Sequence, residues 1–427
     1  MTTSFRKTAI KLAGILAIGL FGIVLILYFK LAVTFLGFFE SMETDSPESK
    51  SAFVLKRHEN QVITDVRQLL FQQFSDLLKE PEAYGKLIRQ ECHIFPEGEL
   101  FGYIFPLFSY AHIALENPQL RDFALSKSAD MISLAIPEVE RQVSPPGGRL
   151  GNLRDFNDEA TYLGQFNMAL GYYRMLGGDG RFDKIHKAVS EALFRALLKN
   201  NAFPLNSYPE RIWTFDTVPC LVSLRLCDKA TGSKRYESVI KEHLKWMREN
   251  GTEPETGLPY SVVSESGKPK IVVAPRGCDI SWRIALLNLL DADYSRSLYR
   301  NYTAHFWREQ FLLSGFSEWS EYAEGEADID SGPIITDVGF AATGLGIGTV
   351  LLMDDTERLT RLTEQFGNVD MIKSMAGYAR DFDPVAALIQ GDKYYTGFLF
   401  GDICLFYAIS WNKAVIDEFG DKNMTMK

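Results

Sequence analysis

The sequence predicts an all-α protein, an (α/α)6 toroid of about twelve helices preceded by one N-terminal transmembrane helix. Three observations predict it: a long uncharged apolar stretch near the N-terminus, a helical spacing of apolar residues through the rest of the chain, and an alternation of short turns with long loops. The 427 residues are 46% hydrophobic and 23% charged. This composition indicates a globular chain and excludes a fibre, a disordered chain and a small disulfide scaffold.

The first predicted element is a signal-anchor helix over residues 11–39. Leu12 to Phe29 form 18 consecutive uncharged, mostly apolar residues, which span about 27 Å as a helix, close to the thickness of a bilayer core. A cleaved signal peptide would need a shorter apolar core and a small-residue cleavage site. The cations that precede the span keep residues 1–10 in the cytoplasm by the positive-inside rule. We therefore expect a single-pass protein whose main domain is extracytoplasmic, either periplasmic or extracellular.

The second element is a polar linker over residues 40–58, and the toroid domain is predicted to occupy residues 59–427. Apolar residues recur there at helical spacing, beginning with Val62, Val66, Leu69, Leu70, Phe74 and Leu77. The predicted helices span about 60–80, 99–116, 119–134, 157–177, 181–199, 215–231, 234–249, 278–292, 294–313, 332–352, 355–366 and 397–417. Short polar turns join the two helices of each pair, and long loops separate the pairs. Six pairs that close on themselves would place the long loops at one end, where pockets are usually built.

The charge distribution disfavours a nucleic-acid partner. The formal net charge is −10, and residues 1–39 hold four cations and no acid, so the remainder carries −14. An acidic body without a basic stripe repels phosphate backbones. The five cysteines are scattered and lack metal-ligand spacing, so they predict neither a disulfide framework nor a metal site. No cofactor-binding motif occurs.

The densest polar and aromatic cluster, residues 207–216, lies where a long loop enters a helix. Glu210 and Asp216 are two acids close to the flat face of Trp213. Paired carboxylates beside an aromatic platform are what glycosidic bond cleavage requires. Asp216 could instead serve only as a helix N-cap or first-turn residue. The neighbouring candidates for substrate contact are Ser207, Tyr208 and Arg211.

A second cluster contains Asp155 before a helix and Tyr162 and Gln165 on one face of that helix. The acid could be a catalytic partner of Asp216 or could simply favour the helix N-terminus. A buried amide such as Gln165 needs hydrogen-bond partners, and a polar substrate is one source of them. We therefore predict that Tyr162 and Gln165 contact the substrate.

The remaining candidates lie in two later loops. Arg276 and Asp279 could form a structural ion pair or could line the mouth of a pocket beside Trp282. Asp328 and Asp330 have the spacing of a calcium loop but lack its further oxygen ligands, so helix capping or substrate contact is favoured over a metal. The predicted substrate-binding residues thus include Arg276, Asp279, Trp282 and Asp330.

Several short stretches resemble the bacterial linalool dehydratase/isomerase family over roughly residues 60–415. They are Gly164, Asn167, Gly171 and Tyr173, then Pro209, Ser223, Leu224, Asp228 and Gly232, then Glu265 to Gly267, Trp282, Asp328, Asp330 and Gly332. The resemblance implies an (α/α)6 toroid that assembles as a homo-oligomer. It also implies that the family's two active-site cysteines correspond to Ser207 and Asp216 and its histidine to Gln165, so a thiol and imidazole relay is not retained.

The leading hypothesis is a membrane-anchored (α/α)6 enzyme that acts on a polar substrate, a carbohydrate, by carboxylate acid–base chemistry. Asp216 would be one catalytic group, with Glu210 or Asp155 as its partner. One alternative is a hydro-lyase or isomerase of the resembled kind, which would act on an alcohol. The other is a non-catalytic glycan-binding or assembly subunit. The expected partners are a small molecule or glycan and the membrane, with no cofactor, metal or nucleic acid.

Overall fold

The computed structural model describes residues 55–93, 95–209, 211–264, 271–310, 313–365 and 393–420. Within these ranges the chain is mostly helical, as the apolar periodicity predicts. The helices are α1 (Gln61–Leu77), α2 (Pro81–Glu91), α3 (Gly98–Glu116), α4 (Arg121–Val143), α5 (Ala160–Met175), α6 (Asp183–Lys199), α7 (Thr217–Thr231), α8 (Glu237–Glu249), α9 (Gly277–Asn288), α10 (Ala292–Phe306), α11 (Phe340–Leu352), α12 (Thr356–Glu364), α13 (Leu399–Ser410) and α14 (Lys413–Phe419).

Six of these helices form a closed inner ring. In chain order α3, α5, α7, α9, α11 and α13 each contact the next, and α13 contacts α3 again. Helices α4, α6, α8, α10 and α12 pack outside them, while α1 packs on α13 and α2 packs on α3 and α4. The alternation of inner and outer helices along the chain is the toroid arrangement that the pairing of short turns and long loops predicts.

Inner and outer helices differ in sequence because they differ in burial. Helix α3 reads GELFGYIFPLFSYAHIALE and is buried over nearly all its length. Helix α8 reads ESVIKEHLKWMRE and buries only one apolar face. Close packing of α11 on α13 depends on Gly348, where an added Cβ would come within 2.9 Å of the Ala408 carbonyl oxygen.

The strands are short and lie in the loops between helices. They are β1 (Ile212–Trp213), β2 (Val262–Val263), β3 (Ile271–Val273), β4 (Trp307–Glu309), β5 (Ser314–Phe316), β6 (Ile334–Ile335) and β7 (Val338–Gly339). They form an antiparallel three-stranded sheet, β1-β2-β3, and two hairpins, β4-β5 and β6-β7.

Several predicted helix boundaries are corrected. The helix predicted over 294–313 ends at Phe306, and the one over 332–352 begins at Phe340, because hairpins occupy the remaining residues of each. The helix predicted over 397–417 breaks at 411–412, and α2 was not predicted at all.

The predicted anchor, residues 11–39, lies outside the described residues. Among the residues that are described, no single helix is long and apolar enough to cross a membrane. Helices α13 and α14 would reach the necessary length only as a pair, and that pair is bent by 74°.

Candidate active site

A cavity of about 410 Å³ lies at the end of the ring where the six inner helices begin. Every inner helix contributes to its wall from the first turns or the residues just before them: Glu97, Phe101 and Phe105 from α3, Thr161 from α5, Phe215 and Asp216 from α7, Cys278, Asp279 and Trp282 from α9, Phe340 and Leu345 from α11, and Phe398 and Phe400 from α13. The long loops that enter these helices supply Tyr208, Trp213, Asp330 and Tyr395. The pocket therefore lies at the end of the ring that the loop pattern predicts.

Asp216 lies directly before α7 with its carboxyl in the cavity wall, and its side chain does not cap that helix. Only 7% of the residue is exposed. Burial raises the pKa of Asp216 to about 6, and the nearby carboxylates of Asp279 and Asp330 act in the same direction. The nearby hydroxyls of Ser207 and Thr161 partly offset this rise in the pKa of Asp216 by favouring the charged form.

Glu97 is the second buried acid of the cavity, and the sequence analysis missed it. It directly precedes α3, and 5% of the residue is exposed. Burial raises the pKa of Glu97 to about 8, and the charge of Asp216 is the next contribution to that rise. Its Oε1 atom has no hydrogen-bond partner. Gly98 permits the tight entry into the helix, because a Cβ there would come within 1.9 Å of the Cys92 carbonyl oxygen.

Glu97 and Asp216 thus form an interacting pair whose pKa values are separated. At neutral pH the carboxyl of Glu97 is protonated and that of Asp216 is mostly ionised. When the pKa values of two acids differ in this way, one acid can act as proton donor and the other as base or nucleophile. The charge of Asp216 raises the pKa of Glu97, so the two groups lose their protons in sequence, Asp216 near pH 6 and Glu97 near pH 8.

Asp279 is also in the cavity wall, but an internal partner neutralises its charge. Arg283, one turn later on α9, donates from Nε to Oδ1 at 2.8 Å and from Nη2 to Oδ2 at 2.7 Å. The Ser261 hydroxyl donates to Oδ2 at 2.8 Å, and Arg283 Nη2 also donates to the Thr214 hydroxyl at 2.8 Å. These bonds fix the strands of the β1-β2-β3 sheet against the start of α9.

The ion pair between Arg276 and Asp279, which the sequence analysis left open, does not form. Arg276 instead donates to Glu318 at 2.6 Å and to both carboxylate oxygens of Asp328 at 2.7 and 2.8 Å. Its guanidinium also lies over the rings of Trp213 and Trp319. Arg276 is therefore a buried structural residue that holds three loops together.

The Asp328 loop is a turn that places Asp330 in the cavity. Asp328 Oδ1 accepts hydrogen bonds from the backbone N–H groups of Asp330 at 3.1 Å and Ser331 at 2.9 Å. Asp330 lines the cavity with an exposed side chain. Within the described ranges no group of three or more His, Cys, Asp or Glu side chains could hold a metal ion.

Aromatic rings form the floor beside the carboxyls. Trp282 packs against Phe215 at 4.5 Å between ring centroids and meets Phe101 and Phe105 edge to face. Its indole N–H donates to the Tyr407 hydroxyl at 3.0 Å, so the polar end of the ring is already satisfied inside the protein. Trp282 therefore offers a ligand an apolar surface in a fixed orientation.

The other predicted residues occupy several environments. Ser207 is buried behind the wall, where its hydroxyl accepts from the Trp213 backbone N–H at 3.0 Å. Tyr162 and Gln165 are buried and not in the wall; the Tyr162 hydroxyl and both amide atoms of Gln165 have no hydrogen-bond partner. Asp155 and Arg211 are exposed and do not line the cavity.

Glu210, one proposed partner of Asp216, lies outside the described residues. Asp155, the other, is exposed and does not line the cavity that holds Asp216. Glu97 occupies that wall instead. The only sequence signal for Glu97 was an acid directly before the Gly98 that opens an apolar helix.

Comparisons with known proteins found no matching family model and no matching curated protein. Among solved structures, the chain is similar to a family 76 glycoside hydrolase from a bovine Bacteroides thetaiotaomicron strain, with a TM-score of 0.43 and 12% identity over 72% of this chain and 67% of that one. It is also similar to a GH76 α-mannanase of Bacteroides thetaiotaomicron, with a TM-score of 0.43 and 11% identity over 73% of this chain and 84% of that one.

The predicted relation to linalool dehydratase/isomerase is wrong, because the solved structures found are glycoside hydrolases and no family or curated match supports that relation. The structure gives a physical reason for the misleading resemblance. Gly164 and Gly171 lie where α5 packs closely on Cys220 and Leu226 of α7. Asn167 donates to the hydroxyls of Ser190 and Ser223 on neighbouring helices. These matching residues serve helix packing.

Proposed function

We propose that the toroid is a glycoside hydrolase in which Glu97 is the general acid and Asp216 is the base or nucleophile. The observation that carries the proposal is the coupled pair of buried carboxyls in one cavity, with pKa values near 8 and 6. Glycoside hydrolysis needs one carboxyl that gives a proton to the leaving oxygen and a second that activates water or attacks the sugar carbon.

The protonation states suit this division at neutral pH. Glu97 retains its proton up to about pH 8 and can transfer it to the glycosidic oxygen. Asp216 is ionised above about pH 6 and can stabilise the positive charge that develops on the sugar ring. After the bond breaks, Glu97 carries the negative charge. Water then adds to the sugar carbon, and the proton that it releases restores the neutral carboxyl of Glu97.

The wall around the pair supports a sugar ligand. Trp213, Tyr208 and Trp282 place aromatic surface in the wall of the same cavity as the two carboxyls. Asp330 adds an exposed hydrogen-bond acceptor at the cavity wall. An aromatic surface with a few polar groups is a common composition of small-molecule sites.

The proposal predicts that the full chain releases nitrophenol from at least one member of a panel of 4-nitrophenyl α- and β-glycosides. Asp216→Asn should lower the rate at least about a hundredfold. Asp155→Asn, which changes an exposed acid outside the cavity, is the matched control and should keep the rate. Failure of every glycoside in the panel, or equal rates for wild type and Asp216→Asn, contradicts the proposal. Saturable glycan binding without turnover would favour a binding subunit.

We also propose that residues 11–39 anchor this enzyme to a membrane with the toroid outside the cytoplasm. The support is the uncharged run Leu12 to Phe29 and the cations Arg6, Lys7 and Lys11 that precede it. The full chain should remain in the membrane fraction after alkaline extraction, and external protease should digest the toroid in intact cells or spheroplasts. Release at alkaline pH, or protection of the toroid from protease, would contradict the respective part of this proposal.

A further inference from the structure

The cavity wall is divided around the ring into a carboxylate side and an apolar side. Four consecutive inner helices, α3, α5, α7 and α9, contribute Glu97, Thr161, Asp216 and Asp279. The two remaining helices, α11 and α13, contribute no charged residue of their own to the described wall, and Asp330 comes from the loop that enters α11. We call the wall formed by residues 338–347 and 395–405 the apolar sector.

Large apolar side chains in the apolar sector are partly open to the cavity. Phe340, Leu345, Phe398 and Phe400 are each only half-buried, although they line a concave site. Burial of these side chains by a ligand would release water from apolar surface and favour binding.

The two threonine hydroxyls that the apolar sector contributes to the wall already have partners inside the protein. The Thr343 hydroxyl accepts from the Phe316 backbone N–H at 3.0 Å, and the Thr396 hydroxyl donates to Asp402 at 2.7 Å. The carboxylate side differs, because Glu97 Oε1 is buried without a partner. A polar ligand group can therefore supply a missing hydrogen bond at the carboxyls, whereas the threonine hydroxyls on the opposite side already have their partners.

Open space lies against the middle of α11. A Cβ added at Gly344 would have no heavy atom within 4 Å, although Gly344 lies in the cavity wall. A hydrocarbon could therefore lie directly over the helix backbone at this position.

We propose that the substrate is an amphiphilic glycoside whose sugar binds at Glu97 and Asp216 and whose hydrocarbon aglycone binds the apolar sector. This inference rests on the proposed function and names its substrate class. The ligand would be a neutral or cationic glycolipid or alkyl glycoside rather than a free oligosaccharide, because the carboxylate side is acidic and the opposite side is apolar.

The test measures the affinity of the full chain in lipid nanodiscs for methyl, butyl and hexyl glucosides and mannosides, by calorimetry with empty nanodiscs as the blank. Affinity should rise on the order of two- to fourfold for each added CH₂. Values of kcat/KM for any glycoside that is hydrolysed should rise in parallel. Affinity that does not depend on chain length contradicts the inference and means that the apolar sector is closed to ligands.

A pair of variants at Gly344 isolates the apolar sector. Gly344→Leu places a bulky side chain in the open space and should remove the chain-length dependence while methyl glycoside binding persists. Gly344→Ala, the matched control, should retain that dependence, because a single methyl leaves most of the space open. Both changes replace glycine inside a helix and should not weaken the helix itself. An unchanged dependence in Gly344→Leu contradicts the inference.

The outcomes separate this inference from the proposed function. Hydrolysis of glycosides without any dependence on chain length overturns the inference and leaves the glycoside hydrolase proposal standing. Binding that strengthens with chain length, with no hydrolysis of any member of either series, supports an apolar ligand site and contradicts the proposed hydrolysis.

Discussion

Glu97→Gln should lower kcat for glycoside hydrolysis by about a hundredfold to ten-thousandfold with little change in KM. The amide keeps the size of the side chain and removes the proton that Glu97 would donate. In the wild type, activity should rise as Asp216 loses its proton near pH 6 and fall as Glu97 loses its proton near pH 8. The variant should lose the fall at alkaline pH. Its acidic limb should stay near pH 6, because Glu97 is neutral where Asp216 titrates and replacing it removes no charge there.

Glu99, two residues after Glu97, provides a matched control. Glu99 lies in the first turn of α3 but pairs with Arg141 outside the cavity. Glu99→Gln should leave kcat within about twofold and keep both limbs of the pH profile. A substrate with a leaving group that needs no proton should partly rescue Glu97→Gln but not Asp216→Asn. If Glu97→Gln keeps its activity and its alkaline limb, Glu97 is not the proton donor.

Arg283→Met should lower the free energy of unfolding by about 3–5 kcal/mol. Arg283 is fully buried, and its removal leaves the Asp279 carboxylate buried without its cationic partner. The thermal unfolding midpoint of the full chain should therefore fall by several degrees.

Two further variants separate the ion pair from the packing. Arg296, on the exposed surface of α10, pairs with Asp293 at 3.0 Å, and Arg296→Met should change stability by less than about 1 kcal/mol. The double variant Asp279→Asn with Arg283→Met should recover part of the loss, because it leaves no unpaired charge. An Arg283→Met protein as stable as the wild type would show that this pair does not hold the sheet to α9.

The sequence predicted the fold well because the toroid depends on local patterns. Apolar spacing indicates helices, and the alternation of short turns with long loops indicates how they pair. The errors lie in short hairpins such as β6-β7, whose few residues carry no period that distinguishes them from the start of α11. Helix α2 was missed although Pro81 occupies its first position, a typical place for proline.

The candidate site was only partly predictable because it is assembled by ring closure. Asp216, Trp213 and Tyr208 are close in sequence, so their clustering is visible before the fold is known. Glu97 comes from a different helix pair, and only the closed ring brings α3 and α7 to the same cavity. The partners of Arg276, which are Glu318 and Asp328, are likewise distant in sequence. The sequence alone therefore could not show that Asp279 pairs with Arg283 rather than with Arg276.

The most direct test of the account is a carboxyl-carbon NMR titration of the full chain labelled with ¹³C at glutamate Cδ and aspartate Cγ. Glu97→Gln and Asp216→Asn spectra would assign the two signals. The account predicts one glutamate that titrates near pH 8 and one aspartate that titrates near pH 6. The glutamate midpoint should fall in Asp216→Asn, because the Asp216 charge raises the pKa of Glu97. If every glutamate in the wild type titrates below about pH 5, Glu97 is ionised at neutral pH and cannot be the acid that the account requires.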